Sequence, residues 1–451
     1  MNEPSATSAA ETARLKVGWF TATCVLVSNI IGGGIFTTTG FMARDLGDST
    51  LILSLWLVGG LLAMAAAMSY SELPAALPRA GGDYVYLRHA YGPFVGFLSG
   101  WTSFTVGFGA GIAAASVSFA SYALRLVPLA EDNSLTSKTV ALVLVWIMTA
   151  VHAAGTGAGG RLQRVLTTTK VAAIVLLIFG GFLFGHGNWD HVSEHHLQTH
   201  PGMGPLMVAL IFVLYTYLGW NVIGYIAGEI ADPQRTIPKI VIGGTAFVTL
   251  LYVLLNLVYL YALPVTSLAQ PPILPVAEKA AAALWGPASA QFVAGVLCIS
   301  IAGGVSAMVW AAPRVYWAMA LDGSFPSFFK ALTPTTGAPV RAIVLQSAWA
   351  SILILTGTFE QLVIFSGFVL SVFTALTLGA VIVLRRRQPA LARPYQTPLY
   401  PMLPGAPIAV LALVIGYSMV QRPLESVLGT ASVLSGIPCY VMWRKRQHGV
   451  P

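Results

Sequence analysis

Apolar residues run along this chain in long blocks, and nearly all of the charged residues fall in the short polar stretches between them. A helix rising 1.5 Å per residue needs about 20 apolar residues to cross a hydrocarbon core of ~30 Å, and these blocks have that length. Because they are continuously apolar, they disfavour a transmembrane β-barrel, whose strands would alternate over about 10 residues. The pattern predicts an all-α polytopic membrane protein with twelve spans. They lie at approximately 17–43, 51–75, 94–127, 138–155, 161–185, 203–230, 238–262, 287–319, 339–357, 359–384, 404–421 and 424–443. A tail of residues 1–16 precedes this single transmembrane domain of residues 17–443, and a tail of residues 444–451 follows it.

Composition excludes the soluble classes. Hydrophobic residues make up 56% of the 451 and charged residues only 9%, against about 25% charged in ordinary soluble domains. The net charge of +8 does not point to nucleic acid, because the basic residues sit at the ends of apolar runs, where membrane topology accounts for them. With the N-terminus placed in the cytoplasm, 18 of the 24 Lys and Arg residues lie on that side and 5 on the other, leaving Lys170 inside a span. That bias predicts cytoplasmic termini at both ends, as an even number of spans requires, in a bacterial inner membrane. Residues 1–16 are polar and lead into an apolar run without an A-x-A-like site, so the first span is read as the insertion signal. Three scattered cysteines, Cys24, Cys298 and Cys439, suit neither a disulfide framework nor a metal cluster. No nucleophile elbow, phosphate loop, H-E-x-x-H or C-x-x-C occurs, so neither an enzyme nor a cofactor nor a metal is expected.

Two spans break the helical rule. Asn29-Ile30-Ile31-Gly32-Gly33-Gly34-Ile35-Phe36 sets three consecutive glycines near mid-membrane, each weaker in a helix than alanine by about 1 kcal/mol. A seam of small residues would place them four apart on one face, which three in a row do not do. In the sixth span, Tyr215-Thr216-Tyr217-Leu218-Gly219-Trp220-Asn221 puts a glycine and a polar amide at similar depth. Unwound backbone in lipid survives only where it lines a cavity or is buried in protein, and paired interruptions in two halves mark a transporter's central site. The two breaks predict inverted repeats over about 17–185 and 203–384, with two helices appended.

Those breaks, with Pro78-Arg79-Ala80-Gly81-Gly82-Asp83-Tyr84-Val85-Tyr86-Leu87, Gly228-Glu229-Ile230 and Pro233-Gln234-Arg235-Thr236-Ile237-Pro238, resemble the amino acid-polyamine-organocation superfamily. Arg161-Leu162-Gln163 with Lys170 seven residues after the Gln, and Arg393-Pro394-Tyr395 with Pro398-Leu399-Tyr400-Pro401, are similar to its L-type amino acid transporter branch. The likeness runs through nearly the whole chain in order. It implies a LeuT-like fold of 5+5 inverted repeats plus two C-terminal helices. It also implies amino acid transport, and the lack of Asp or Glu at mid-depth in spans 1, 3, 6, 8 and 10 predicts neutral substrates.

The helix breaks suggest the site chemistry. A half-helix starting after the glycines turns free N–H groups and its positive end into the cavity, suited to an α-carboxylate, with Gly33, Gly34 and Ile35 as donors. Carbonyls near Ser28 to Ile31 and Tyr215 to Leu218 are left over for an α-ammonium group. Ile31, Gly32, Gly33, Gly34, Ile35, Tyr215, Leu218, Gly219, Trp220 and Asn221 form the candidate substrate site, joined by residues of spans 3, 8 and 10 that the sequence does not single out. The resemblance implies an aromatic gate at Tyr215. It also implies that the Lys170 ammonium replaces the sodium ion of sodium-coupled relatives, bonding carbonyls near the span-1 break. Where the family commonly carries Ser between two glycines, this chain has Gly33. Lys170 stands nine residues after Arg161, about 13 Å deep, too far for its side chain to snorkel out.

Blander readings compete elsewhere. Pro78, Gly81, Gly82, Asp83 and Arg88 read as a solvated loop with a short amphipathic helix, with a gating role as the alternative; Glu72 and Glu229 read as structural ion partners or gate charges. His186, His191, His195, His196 and His200 read as a solvated external loop, and His152 as a hydrogen-bonded packing residue. The loop from Pro128 to Lys138 has no Cys, whereas animal members of the branch link a glycoprotein subunit there, so no disulfide-linked partner is expected. A sodium-independent exchanger or facilitator for neutral amino acids leads, with a proton-coupled symporter and a non-transporting membrane sensor as alternatives.

Overall fold

The structure is a computed structural model that describes residues 17–127, 134–194, 202–271, 276–356, 359–421 and 423–447. Helices account for the regular structure among the described residues, apart from isolated bridges such as that joining Val17 to Ile230. Ten of them are long and apolar enough to cross a membrane, and the shorter Trp19–Ile30 and Val340–Thr356 bring the crossing segments to twelve. In lipid every backbone polar group must be satisfied internally, which is why helices do the spanning. Leu61, Leu176, Leu183 and Val420 are each more than half exposed, as expected of side chains solvated by acyl chains.

Burial places span 8, Ala288–Leu321, at the centre: 72% of its apolar window is enclosed, against 17% in the last span, Ser426–Arg444. Its small residues allow that position. A Cβ on Gly303 would lie 2.6 Å from the Ser28 Oγ of span 1, so only glycine lets the two helices approach this closely. Spans 1 (Trp19–Ile30, continued by Thr38–Leu46), 3 (Pro93–Arg125) and 5 (Thr156–Phe184) all pack against span 8 or its neighbours. Spans 11 and 12 sit outside them.

Three departures from the expected spans have local causes. Span 7 runs Pro233–Ala262, starting before Pro238, because Pro233 suits the first helical turn and Pro238 forfeits a single bond near the start. Span 12 is two helices, Pro423–Leu434 and Gly436–Gln447. Span 3 contains a π-helical turn, Ser103–Gly107, for which the apolar pattern gave no sign.

Candidate substrate site at the helix breaks

Span 1 stops being helical at Ile30, passes through Ile31, Gly32 and Gly33, tightens into a 3-10 turn at Gly34–Phe36 and resumes as an α-helix at Thr38. Span 6 ends its first helix at Tyr217, and Leu218 is extended. Gly219 then takes φ +119°, a conformation costly to any residue with a Cβ. It also has no room for one, since the added atom would lie 2.9 Å from the Asn29 carbonyl oxygen. The two breaks are tied together directly. Asn29 Nδ2 donates to the Gly219 carbonyl at 3.0 Å. The Tyr252 hydroxyl, on span 7, lies 2.9 Å from the Ile30 carbonyl and 3.3 Å from that of Thr216. Sequence reasoning missed Tyr252, because a tyrosine within a span looks the same whether it packs or bonds.

The N–H groups of Gly33, Gly34 and Ile35 donate to no acceptor among the described residues. Three adjacent donors at the start of a half-helix form a receptor for an anion. On the carbonyl side the structure corrects the expectation. Ser28 and Ile31 carbonyls are taken by Lys170, those of Ile30 and Thr216 by Tyr252, and that of Tyr215 by the Leu218 N–H. Competition from side chains on spans 5 and 7 and from the Leu218 N–H therefore narrows the set to Asn29, Tyr217 and Leu218, whose carbonyls accept from no described residue.

Lys170 is fully buried, with Nζ 2.7 Å from the Ile31 carbonyl, 3.2 Å from that of Ser28 and 3.1 Å from Ser28 Oγ. Its ammonium thus sits against the span-1 break, as the resemblance implied, and faces the protein interior, as its depth along span 5 predicts. A charge at this depth is costly unless hydrogen-bonded, and three oxygens satisfy it.

The side chains around the breaks divide in two. A Cβ on Gly32 would meet nothing within 4 Å, and one on Gly33 would find Ser118 Oγ at 3.9 Å and Ile301 at 4.0 Å, so open space begins here. Ser118 and Ile301 are the span-3 and span-8 residues that sequence reasoning left unnamed. Tyr215 bonds Ser366 and packs beside Gly367 of span 10, closing the opposite wall. By contrast, the Trp220 ring is buried against Tyr70, 5.1 Å between centroids, and serves packing. Asn221 turns its amide away from the glycines, toward Asp83.

Asp83 overturns the solvated-loop reading. Residues 83–87 are all buried, and the preceding turn is bolted to span 6 by Gly81 N–H to the Tyr225 carbonyl and Gly82 N–H to that of Gly224. One oxygen of Asp83 accepts from Asn221 at 3.1 Å and Tyr225 at 2.8 Å, while the other is buried without a described partner. Ion pairs lace this arginine-rich face: Asp322 with Arg79 and Arg88, and Glu229 with Arg314. Glu72 joins Arg385, Arg393 and the Thr397 N–H. Both glutamates are thus ion partners, as expected.

Burial pushes the Asp83 carboxyl up to about 6, against the pull of the hydrogen bonds from Tyr225 and Asn221. A water-exposed carboxyl titrates near 3.9, so protonation below about 6 stabilises the packed arrangement of this face over any state that opens Asp83 to water. Exchange measured at symmetric pH is expected to slow as pH falls from about 7 to about 5. Asp83→Asn, which cannot ionise, should give a flat profile; an unaltered pH profile in that variant would refute the link.

His152 bonds Ser306 Oγ and packs on Trp310, the role expected of it. His186 and His191 sit by the Leu284 and Tyr261 carbonyls, and His195, His196 and His200 lie outside the described residues. Cys24 and Cys298 are buried free thiols.

The amino acid permease family profile matches residues 17–441. The chain belongs to the amino acid permease family. It is 29% identical over 440 residues to the serine/threonine exchanger SteT of Bacillus subtilis (strain 168), covering 96% of this chain and 97% of the relative. Asc-type amino acid transporter 1 of Mus musculus is 25% identical over 443 residues, 96% of this chain and 82% of the relative. Large neutral amino acids transporter small subunit 2 of Homo sapiens is 26% identical over 442 residues, covering 96% and 81%. This permease is a multi-pass membrane transporter of amino acids and not an enzyme.

Proposed function

We propose that this permease moves neutral L-amino acids by alternating access, as an exchanger or facilitator and without sodium. The arginine-rich face lies in the cytoplasm of a bacterial cell and the chain acts without a disulfide-linked subunit. The observation that carries the reading is the pairing, at one break, of three unbonded N–H groups with the buried ammonium of Lys170. The donors suit a carboxylate, and the ammonium stands where a sodium ion would neutralise the same carbonyls. The site residues are those around the breaks: Ile31 to Ile35, Tyr215, Leu218 and Gly219, with Trp220 and Asn221 behind them. No Asp or Glu lies at mid-depth in spans 1, 3, 6, 8 or 10 to pair with a cationic side chain, and an unpaired charge there would be costly. The serine/threonine exchanger among the relatives makes small neutral substrates the first to test.

Purified protein in vesicles loaded with serine should take up labelled serine at the same rate in sodium or choline buffer. Unlabelled neutral amino acids should compete, while arginine and putrescine should not. Competition by arginine, or uptake that requires sodium, would refute the reading. The buried acid at Asp83 favours one second reading, proton symport, which requires an imposed pH gradient to drive uphill uptake into empty vesicles.

A further inference from the structure

The triple-glycine break carries no hydroxyl of its own, and the structure assigns that role to Ser118: its Oγ is a side-chain donor for the carboxylate of the amino acid bound at Gly33–Ile35. This rests on the reading of the breaks as the substrate site.

Ser118 is half-buried in span 3, and hydroxyls within membrane helices ordinarily bond back to the carbonyl four residues earlier. Thr105, Ser121, Thr149 and Ser351 do so here, while the Ser116, Thr245 and Thr377 hydroxyls are enclosed without a partner among the described residues. Ser118 does not, and it makes no hydrogen bond to any described residue. Unlike the sealed Ser116 hydroxyl two residues earlier, the Ser118 Oγ is open to the space beside it, where a ligand or water can complete it. Its direction names the ligand. Measured from a Cβ built on Gly33, Ser118 Oγ is the nearest atom, at 3.9 Å, and the next is Ile301 at 4.0 Å. The hydroxyl therefore faces the residue whose N–H begins the row of free donors, across space that neither span 3 nor span 8 fills.

Gly33 itself supports the assignment. Its φ of −72° and ψ of −24° are ordinary right-handed values, so backbone conformation does not demand glycine there. No steric contact demands it either. A glycine at this point instead leaves room for a hydroxyl that arrives from span 3. A carboxylate held by backbone N–H groups has lone pairs to spare, and a serine O–H to a charged acceptor makes one of the stronger hydrogen bonds.

The test measures serine and alanine exchange in vesicles for the parent, Ser118→Ala and the double variant Ser118→Ala/Gly33→Ser. Ser118→Ala is expected to raise KM about tenfold for both substrates, because the contact is to their shared carboxylate. Gly33→Ser fits the space and should return most of that loss by supplying a hydroxyl from the other wall. An unchanged KM in Ser118→Ala, a loss confined to serine, or a loss that Gly33→Ser leaves in place overturns the assignment. A parent protein that exchanges neither amino acid would instead overturn the functional reading on which it rests.

Discussion

Lys170→Ala is expected to lower the exchange rate by at least ~100-fold while leaving the protein folded and inserted. The ammonium holds the carbonyls of Ser28 and Ile31 at the point where span 1 stops being a helix. Alanine would strip both of that donor, with only a 3.5 Å contact from Ser300 Oγ left at Ile31. Each unsatisfied buried acceptor costs about 1–3 kcal/mol, and ~100-fold corresponds to about 3 kcal/mol at 1.4 kcal/mol per tenfold. The break would then seek other partners or rewind, and span 5 would lose its grip on it. Insertion should not suffer, since a lysine at this depth itself costs at least ~2.5 kcal/mol on insertion scales. Labelled-substrate exchange, read beside detergent-resistant monodispersity, separates the two effects. Parental exchange kinetics in the variant would sink the proposal that Lys170 stands in for a bound sodium ion.

Lys170 also shows why part of this structure could be read in advance. A lysine nine residues beyond the membrane edge has few places to go, so depth alone aimed it at the interior, and three glycines in a row announced a break; that the one meets the other was implied only by the family resemblance. The spans were legible for the same reason: lipid makes apolar length a strict requirement. Asp83 was not legible. Its segment is as polar as a solvated loop, but its partners Asn221 and Tyr225 stand about 140 residues away, and Arg79 and Arg88 meet Asp322 from more than 230. Burial of polar groups is decided by such long-range satisfaction, which composition does not reveal. Ser118 and Tyr252 stayed hidden because a span's pattern fixes depth and leaves rotation open, so the same side chain could meet lipid, core or cavity. Trp220 was assigned to the pocket from its neighbours in sequence, and the turn at Gly219 sends its ring to Tyr70 instead.

Gly34→Val should reduce substrate binding below detection, and the structure gives a sharper cause than restricted backbone freedom. A Cβ at Gly34 would already lie 2.8 Å from Thr216 Oγ1 and 3.1 Å from its Cγ2, so even alanine forces spans 1 and 6 to shift. The two γ-methyls of valine have no room unless the breaks separate. That would strain the 3.0 Å bond from Asn29 to Gly219, which holds the donors and the remaining carbonyls at one site. Folding should largely survive, because Gly34 opens a three-residue 3-10 turn and not an α-helix. Gly34→Ala separates the steric cause from any other: it should weaken binding about tenfold, as overpacking typically costs 1–3 kcal/mol, and Thr216→Ala should restore it by clearing the space. Gly34→Val should stay inactive in that background, since its methyls also crowd the N–H groups that face the carboxylate. Binding of labelled serine to purified protein measures all four variants, and normal affinity in well-folded Gly34→Val would mean that the carboxylate does not sit on the span-1 backbone.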